Sequence, residues 1–250
     1  MAQIKKNNIN KDIDRLEKNK DFVRLEGFNG LRSNVRICLK KDSHNKIVIT
    51  SSAPGDGKST CASNLAISFA NIGKKVIILD CDLRKPVINK TFMLSNKKGL
   101  SDVLSRLAPI LDCIQETSYK NLSIISAGTS VPNPSELLSG DEMKVLIENL
   151  EEKYDYIIFD CPPINVVSDV IPILELVDGV VLVVRQGKTT YTELEKAIEA
   201  VKFAKANLFG IFCFEKPVKK SKYSKYSRYS RYGKYSSYNS YGNYGNYYEK

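Results

Sequence analysis

The residues best equipped for chemistry form one short run, Ser52-Ala53-Pro54-Gly55-Asp56-Gly57-Lys58-Ser59-Thr60. Glycines let backbone amides turn towards phosphate oxygens, and the following lysine carries a positive charge to the outer phosphates. Pro54, Gly55, Asp56, Gly57, Lys58, Ser59 and Thr60 are therefore candidate nucleotide-binding residues, with the Ser59 hydroxyl a candidate Mg2+ ligand. The strict phosphate-loop pattern has a glycine five residues before Gly57, where this chain has Ser52. Two further runs end in carboxylates: Leu79-Asp80-Cys81-Asp82-Leu83-Arg84 and Ile157-Ile158-Phe159-Asp160. Phosphoryl transfer needs positive charge on the outer phosphates and a group that receives the nucleophile's proton. Magnesium takes few protein ligands and keeps several waters. Ser59, Asp82 and Asp160 are thus the metal candidates and Asp80 the candidate base. Lys58, Asp80, Asp82 and Asp160 together form the candidate catalytic set, and Arg84 joins the nucleotide-binding candidates. The residues alone leave open the simpler reading that these aspartates only end strands or cap helices.

The elements that must position these groups follow from periodicity. Ile47–Thr50 is an apolar strand run leading into the loop, and Cys61–Ala70 a helical pattern leaving it. Strands are predicted at Lys75–Asp80, Leu122–Ser126, Tyr154–Asp160, Val177–Val184 and Leu208–Phe214, and helices at Phe22–Leu39, Gly99–Leu107, Asp141–Leu150 and Thr192–Ala206. Strands alternating with helices imply an α/β fold, a mostly parallel central sheet flanked by helices. Ligands of such sheets lie at the carboxyl ends of the strands, where the aspartates fall. The expected organisation is a flexible lead-in over 1–20, a P-loop domain over 21–215 and a disordered tail over 216–250.

Composition sets the remaining bounds. Hydrophobic residues make up 42% of the 250 and charged residues 26%, the balance of a globular chain. No apolar run approaches the roughly 20 residues of a membrane span, and the N-terminus lacks a signal-type apolar stretch, so a cytoplasmic protein is expected. The six cysteines are scattered without a Cys-x-x-Cys pair, which favours buried reduced thiols over a metal or disulfide framework. The single histidine, His44, falls in a polar turn and is assigned no chemistry. Residues 216–250 hold nine Lys or Arg and one Glu, a net of +8 within the chain's +10, so residues 1–215 carry only +2. Tyrosine recurs there at every third position: Tyr223, Tyr226, Tyr229, Tyr232, Tyr235, Tyr238, Tyr241, Tyr244 and Tyr247, with Tyr248 added. A segment so poor in aliphatic residues builds no core.

With these motifs in place, the chain resembles the bacterial tyrosine kinases of capsule and exopolysaccharide biosynthesis, in their cytoplasmic form. Ala53–Thr60 resembles their Walker A motif, Ile77–Arg84 their three aliphatics followed by Asp-x-Asp-x-Arg, and Tyr156–Pro163 their Walker B motif. The Pro132–Leu138 loop and the tyrosine-rich tail add to the likeness. The resemblance implies ATP- and Mg2+-dependent tyrosine phosphorylation, including the ten tail tyrosines as phosphoacceptors. It also implies a transmembrane adaptor of the polysaccharide chain-length regulator type, which recruits the protein to the inner face of the membrane, and protein tyrosine substrates. A cognate tyrosine phosphatase and ring-like self-assembly complete the implied partners; nucleic acid is not among them. Two positions depart from the family pattern. Asn29 stands where the assembly helix usually carries an arginine, which weakens the expected ring. Phe214 stands near the place where the last strand often ends in an asparagine beside adenine.

Two other functions fit parts of the chain. A partitioning- or division-site-type ATPase switch would use the same phosphate loop, but such proteins usually carry lysine where Ala53 stands. A basic aromatic tail can also tether a domain to nucleic acid or an anionic membrane, since Lys and Arg meet phosphates and Tyr stacks on bases.

Overall fold

Runs of Val, Ile and Leu with no polar alternation can be stable only where both sheet faces are covered. In the computed structural model, which describes residues 25–39 and 45–215, those runs form the middle of a seven-stranded sheet. The strands are β1 (Asn45–Ser51), β2 (Val76–Asp80), β3 (Ile114–Glu116), β4 (Leu122–Ile125), β5 (Tyr156–Asp160), β6 (Gly179–Arg185) and β7 (Leu208–Phe214). Their spatial order is β3-β4-β2-β5-β1-β6-β7. Every pairing is parallel except that of β3 with β4. Every residue of β2 and β5 is buried.

Alternate side chains feed two cores. Ile47, Ile49, Ile78, Ile158 and Val181 meet Cys61, Leu65 and Phe69 of helix α2 (Lys58–Ala70), with Phe28 and Val35 of helix α1 (25–38) added. Phe69 stacks on Tyr156 of β5 with ring centroids 3.9 Å apart. The other face joins Val48, Ile77, Leu79, Ile157, Phe159 and Leu182 to a second set of helices. These include α4 (Leu100–Leu104), α6 (Pro134–Ser139), α7 (Asp141–Glu151), α8 (Ile171–Leu174) and α9 (Tyr191–Phe203). Short helices α3 (Ile88–Thr91) and α5 (Ile110–Cys113) and a 3₁₀ turn at Ser168–Val170 complete the connections. None of the helices among the described residues is long and apolar enough to cross a membrane.

Several expectations need correction. The antiparallel edge strand β3 has no counterpart in the sequence reading, because three residues give too short a pattern to register. The Pro132–Leu138 loop turns helical from Pro134, since proline at a helix start loses no needed donor. Helix α4 is shorter than the predicted Gly99–Leu107, because Arg106 takes a positive φ of 58°. Of the six cysteines, all free, Cys38 and Cys213 are exposed rather than buried. Cys38 stands near the end of α1 against the carbonyl of Phe209, and Cys213 lies on the edge strand β7. His44, the 1–20 lead-in and the tyrosine tail lie outside the described residues.

One carboxylate fastens the start of α4 to the sheet. Asp102 accepts hydrogen bonds from the amides of Gly99 (2.8 Å) and Thr129 (3.1 Å) and from the Thr129 hydroxyl (2.7 Å). Burial would raise its pKa, but the Thr129 and Gly99 bonds outweigh it and hold it below the ordinary value. A depressed carboxyl contributes stability that is present above its unfolded value and is lost as pH falls through the folded one. Asp102→Ala leaves three donors without their partner and should cost about 3 kcal/mol in urea unfolding at neutral pH. The gap to wild type should narrow in acid; a constant gap would contradict the role.

Candidate active site

The phosphate loop joins β1 to α2, and its backbone dictates its glycines. Gly55 has φ 76° and Gly57 φ 105°, both in the left-handed region. Gly57 is also the N-cap of α2, so no side chain caps the helix, and its first turn holds no acidic residue. Uncapped amides and the positive end of a 13-residue helix therefore face the loop. Asp56 turns inward and is fully buried. It accepts from the Ala53 amide (3.1 Å) and the Ser52 hydroxyl (3.2 Å), so Ser52, the residue in the place of the missing glycine, helps to brace the loop. Lys188, from the turn after β6, pairs with Asp56 at 3.1 Å and donates to the Pro54 carbonyl.

Parallel pairing brings the acidic strand ends to the same place. β5 lies between β1 and β2, with Asp160 in register with Ile49 on one side and Asp80 on the other. The amide of Cys81 donates to the Asp160 carbonyl and that of Cys161 to the Ile49 carbonyl, which locks the three ends at one level. Lys58 reaches across this level. Its ammonium stands 2.8 Å from Asp82 and 3.6 Å from Asp160, and donates to the Ser59 hydroxyl at 3.3 Å. Lys58, Ser59, Asp80, Asp82 and Asp160 are thus one cluster, and Thr60 is an exposed residue in the first turn of α2.

Burial governs the protonation of this cluster. Asp80 is fully buried, and burial together with the charge of Asp160 raises its pKa to about 7, despite hydrogen bonding by the Ile88 amide and the charge of Lys58. Burial also raises Asp160 to about 6, against the pull of Lys58 and Ser59. Burial alone would lower the Lys58 pKa, but Asp160, Asp82 and Asp80 more than offset it and the net shift is upward. Asp80 accepts through Oδ2 from the amides of Val87 (3.2 Å) and Ile88 (3.1 Å), while its Oδ1 is buried without a hydrogen bond. Neither oxygen of Asp160 receives a hydrogen bond of ordinary geometry. Buried carboxylate oxygens with unused acceptor capacity, beside a serine hydroxyl, suit a hard cation that keeps its own waters. Among the described residues, no three His, Cys, Asp or Glu side chains are arranged to hold a metal by themselves.

Arg84 stands apart from the phosphate loop. Its Nε and Nη2 donate to the two oxygens of Asp169, at 2.6 and 3.0 Å. Asp169 is a buried residue of the 3₁₀ turn that the sequence reading passed over. Its signal was an isolated acid in an otherwise apolar stretch, Val166-Val167-Ser168-Asp169-Val170-Ile171. At the rim, Arg185 lies over the Phe214 ring, 5.6 Å from its centroid. A Cβ at Gly57 would stand 2.6 Å from that ring, so the last strand presses directly on the loop. Two surface hollows, of about 380 and 350 Å³, lie around α4, α6 and α7, away from this site.

A phosphate-binding loop between a parallel strand and a helix, with aspartates ending the two neighbouring strands, defines an α/β P-loop nucleotide-binding domain. Residues 44–209 match the family described as the AAA domain. The chain belongs, within that class, to the bacterial tyrosine-protein kinases. It is 39% identical over 195 residues to the tyrosine-protein kinase YwqD of Bacillus subtilis, covering 78% of this chain and 82% of that one. The kinase domain of Escherichia coli tyrosine kinase ETK superposes with a TM-score of 0.75 at 30% identity, covering 81% of this chain and 80% of that chain. The cell division ATPase MinD of Pyrococcus furiosus aligns with a TM-score of 0.59 at 24% identity over 68% of this chain and 71% of that chain, a likeness of fold alone.

The raised Asp80 pKa has a measurable consequence in the metal-free protein. Between the ordinary value of 3.8 and about 7 the folded chain keeps a proton there that the unfolded chain has released. The unfolded state then binds fewer protons, so stability falls as pH rises through that window. Urea unfolding at about pH 5 and about pH 8 should show this fall in wild type and a smaller one in Asp80→Asn. An identical pH dependence in the two proteins would refute the assignment.

Proposed function

We propose that this protein transfers the terminal phosphoryl group of ATP, bound with Mg2+, to tyrosine hydroxyls, its own C-terminal cluster first. The observation that carries this reading is Lys58, held by Asp82 and Asp160 beside the unpaired oxygen of Asp80, in a chain of this family. The loop amides from Gly55 to Thr60 and the start of α2 cradle the phosphates, and Lys58 turns its ammonium from the carboxylates to the outer phosphates. Ser59, Asp82 and Asp160 would hold the metal, directly or through water. The metal neutralises and aligns the outer phosphates when bound. A tyrosine oxygen forms the new bond to the terminal phosphorus, the bridging P–O bond breaks, and ADP leaves with that electron pair. The phenolic proton passes to Asp80, whose pKa of about 7 suits a base working near neutrality.

The acceptors of this reading are Tyr223, Tyr226, Tyr229, Tyr232, Tyr235, Tyr238, Tyr241, Tyr244, Tyr247 and Tyr248. Each phosphate adds about −1.5 to −2 charge near neutral pH, so roughly four to six would offset or reverse the tail's +8. The protein works in the cytoplasm, recruited to the membrane by a transmembrane adaptor, and serves polysaccharide synthesis. Other protein tyrosines are substrates and a tyrosine phosphatase reverses the reaction. Self-association runs through 26–32 of α1. There Glu26 and Asn29 are bonded to each other at 3.1 Å, while Arg32 is turned inward onto the Ser68 carbonyl at 2.7 Å.

Lys58→Met should reduce ATP-dependent tail phosphorylation to background in intact-mass spectrometry. Asp80→Asn should slow it by roughly 10²- to 10⁴-fold, the range of a general base, with nucleotide affinity nearly unchanged. Undiminished phosphorylation in the Lys58 variant, with no other kinase present, would refute the mechanism. Asn29→Arg should strengthen self-association in light scattering; equal mass for both proteins across concentrations would exclude this segment as the interface.

A further inference from the structure

Arg84 and Asp169 have no part in the cluster around Lys58, yet they form a closely engaged charge pair at its edge. Asp169 is 1% exposed and offers both oxygens to Nε and Nη2 of Arg84, at 2.6 and 3.0 Å. Two parallel bonds fix a guanidinium plane as one bond does not. Nη1 takes part in neither bond, and nearly half of the Arg84 side chain is open to solvent. A buried carboxylate that spends its hydrogen-bonding capacity on a solvent-facing arginine is not serving the core. It sets the direction in which that arginine points.

The pair is tied to the carboxyl end of β2, since Arg84 lies two residues past Asp82 in the chain. Lys58 approaches Asp82 from α2, whose apolar side packs on one face of the sheet. Asp169 is anchored on the other face: its neighbours Val170, Ile173 and Leu174 belong to the core there. Arg84 follows Asp82 by two residues, inside a tight turn in which the Lys85 amide donates to both the carbonyl and Oδ1 of Asp82. The carboxyl end of β2 is therefore flanked by two cations anchored from different faces of the sheet: Lys58 from α2, and Arg84 through Asp169. In-line transfer places leaving and attacking oxygens on opposite sides of the phosphorus.

We infer that Asp169 is a positioning residue, and that the guanidinium it fixes, Arg84, stabilises the phosphoryl group on the acceptor side as it passes to the tyrosine oxygen. This rests on the tyrosine-transfer reading above. Arg84 takes no proton and forms no bond. It meets the negative charge on the transferring oxygens and then on the aryl phosphate product. Its role differs from the nucleotide-binding one that its motif position suggested.

The test uses the full chain with Mg-ATP and a synthetic peptide of residues 221–238 as acceptor. Steady-state transfer, fluorescent-nucleotide affinity and thermal midpoint are measured for wild type, Arg84→Ala, Arg84→Lys, Asp169→Asn and the Arg84→Ala/Asp169→Asn double variant. Arg84→Ala and Asp169→Asn should each lower kcat on the order of 10- to 100-fold, with nucleotide affinity within twofold of wild type. The double variant should be no slower than Arg84→Ala, because Asp169 acts only through the arginine. Arg84→Lys should not restore the rate, since an ammonium cannot make the bidentate pair. Unchanged transfer, additive losses in the double variant, or a loss of nucleotide affinity matching the loss of rate would each overturn the assignment. If Asp169→Asn does not fold, Arg84→Ala, altered at a half-exposed side chain, decides through rate and affinity alone. Wild type controls for the underlying reading: if it phosphorylates the peptide and the variants match it, only the Arg84 role fails. If wild type transfers nothing, the kinase reading fails with it.

Discussion

The interaction on which this structure depends is the ammonium of Lys58 held between Asp82 and Asp160. Three carboxylates, from Asp80, Asp82 and Asp160, lie within or near the ends of buried strands. Charges so placed are costly unless paired, because burial removes the water that would solvate them. One lysine offsets part of that cost, and it does so only from the first residue of α2. The requirement fixes the rest. β5 must sit between β1 and β2 for Asp160 to face both the loop and Asp80, and α2 must pack along β1 and β5 for Lys58 to reach across. The residual imbalance appears as the raised pKa values of Asp80 and Asp160. Functional sites commonly retain such a perturbation.

Helix α1 is joined to the phosphate loop by aromatic rings. Phe28 stacks on Phe212 at 5.3 Å and meets Phe214 edge-on at 6.3 Å, and Phe214 in turn lies against Gly57. The segment proposed for self-association therefore shares a packed contact chain with the loop that receives phosphate. Contiguity is not coupling. It does mean that a repacking of Phe28 has a short physical route to the site, through the strand end where Arg185 and Phe214 stack.

The sequence disclosed those features that local pattern determines. Unbroken aliphatic runs marked β1, β2, β5 and β6, and the glycines with Lys58 marked the loop, because φ above zero and close backbone approach demand glycine. Acidic residues at the ends of two such runs predicted a cluster, since parallel strands bring their carboxyl ends to one side. What escaped notice depends on partners distant in sequence. Asp169 means little until the fold sets it against Arg84, 85 residues away. The same holds for Lys188, whose partner Asp56 lies across the sheet in the loop. The exposure of Cys38 and Cys213 follows from α1 and β7 lying at the outer edge of the sheet, which composition does not reveal.

Gly57 sets a limit on how far this domain can be stabilised. A helix that begins at glycine forgoes the side-chain bond of a serine, threonine or aspartate cap, worth roughly a few tenths of a kcal/mol over glycine elsewhere. Residue 57 could not supply one readily: its φ of 105° penalises any side chain, and a Cβ there would run into the Phe214 ring. A capping oxygen would also compete for the amides that the loop turns towards an anion. The start of α2 is thus a site of deliberate under-stabilisation, where robustness and activity draw on the same few hydrogen-bond donors. Attempts to harden the protein should leave this turn alone and work on elements remote from it.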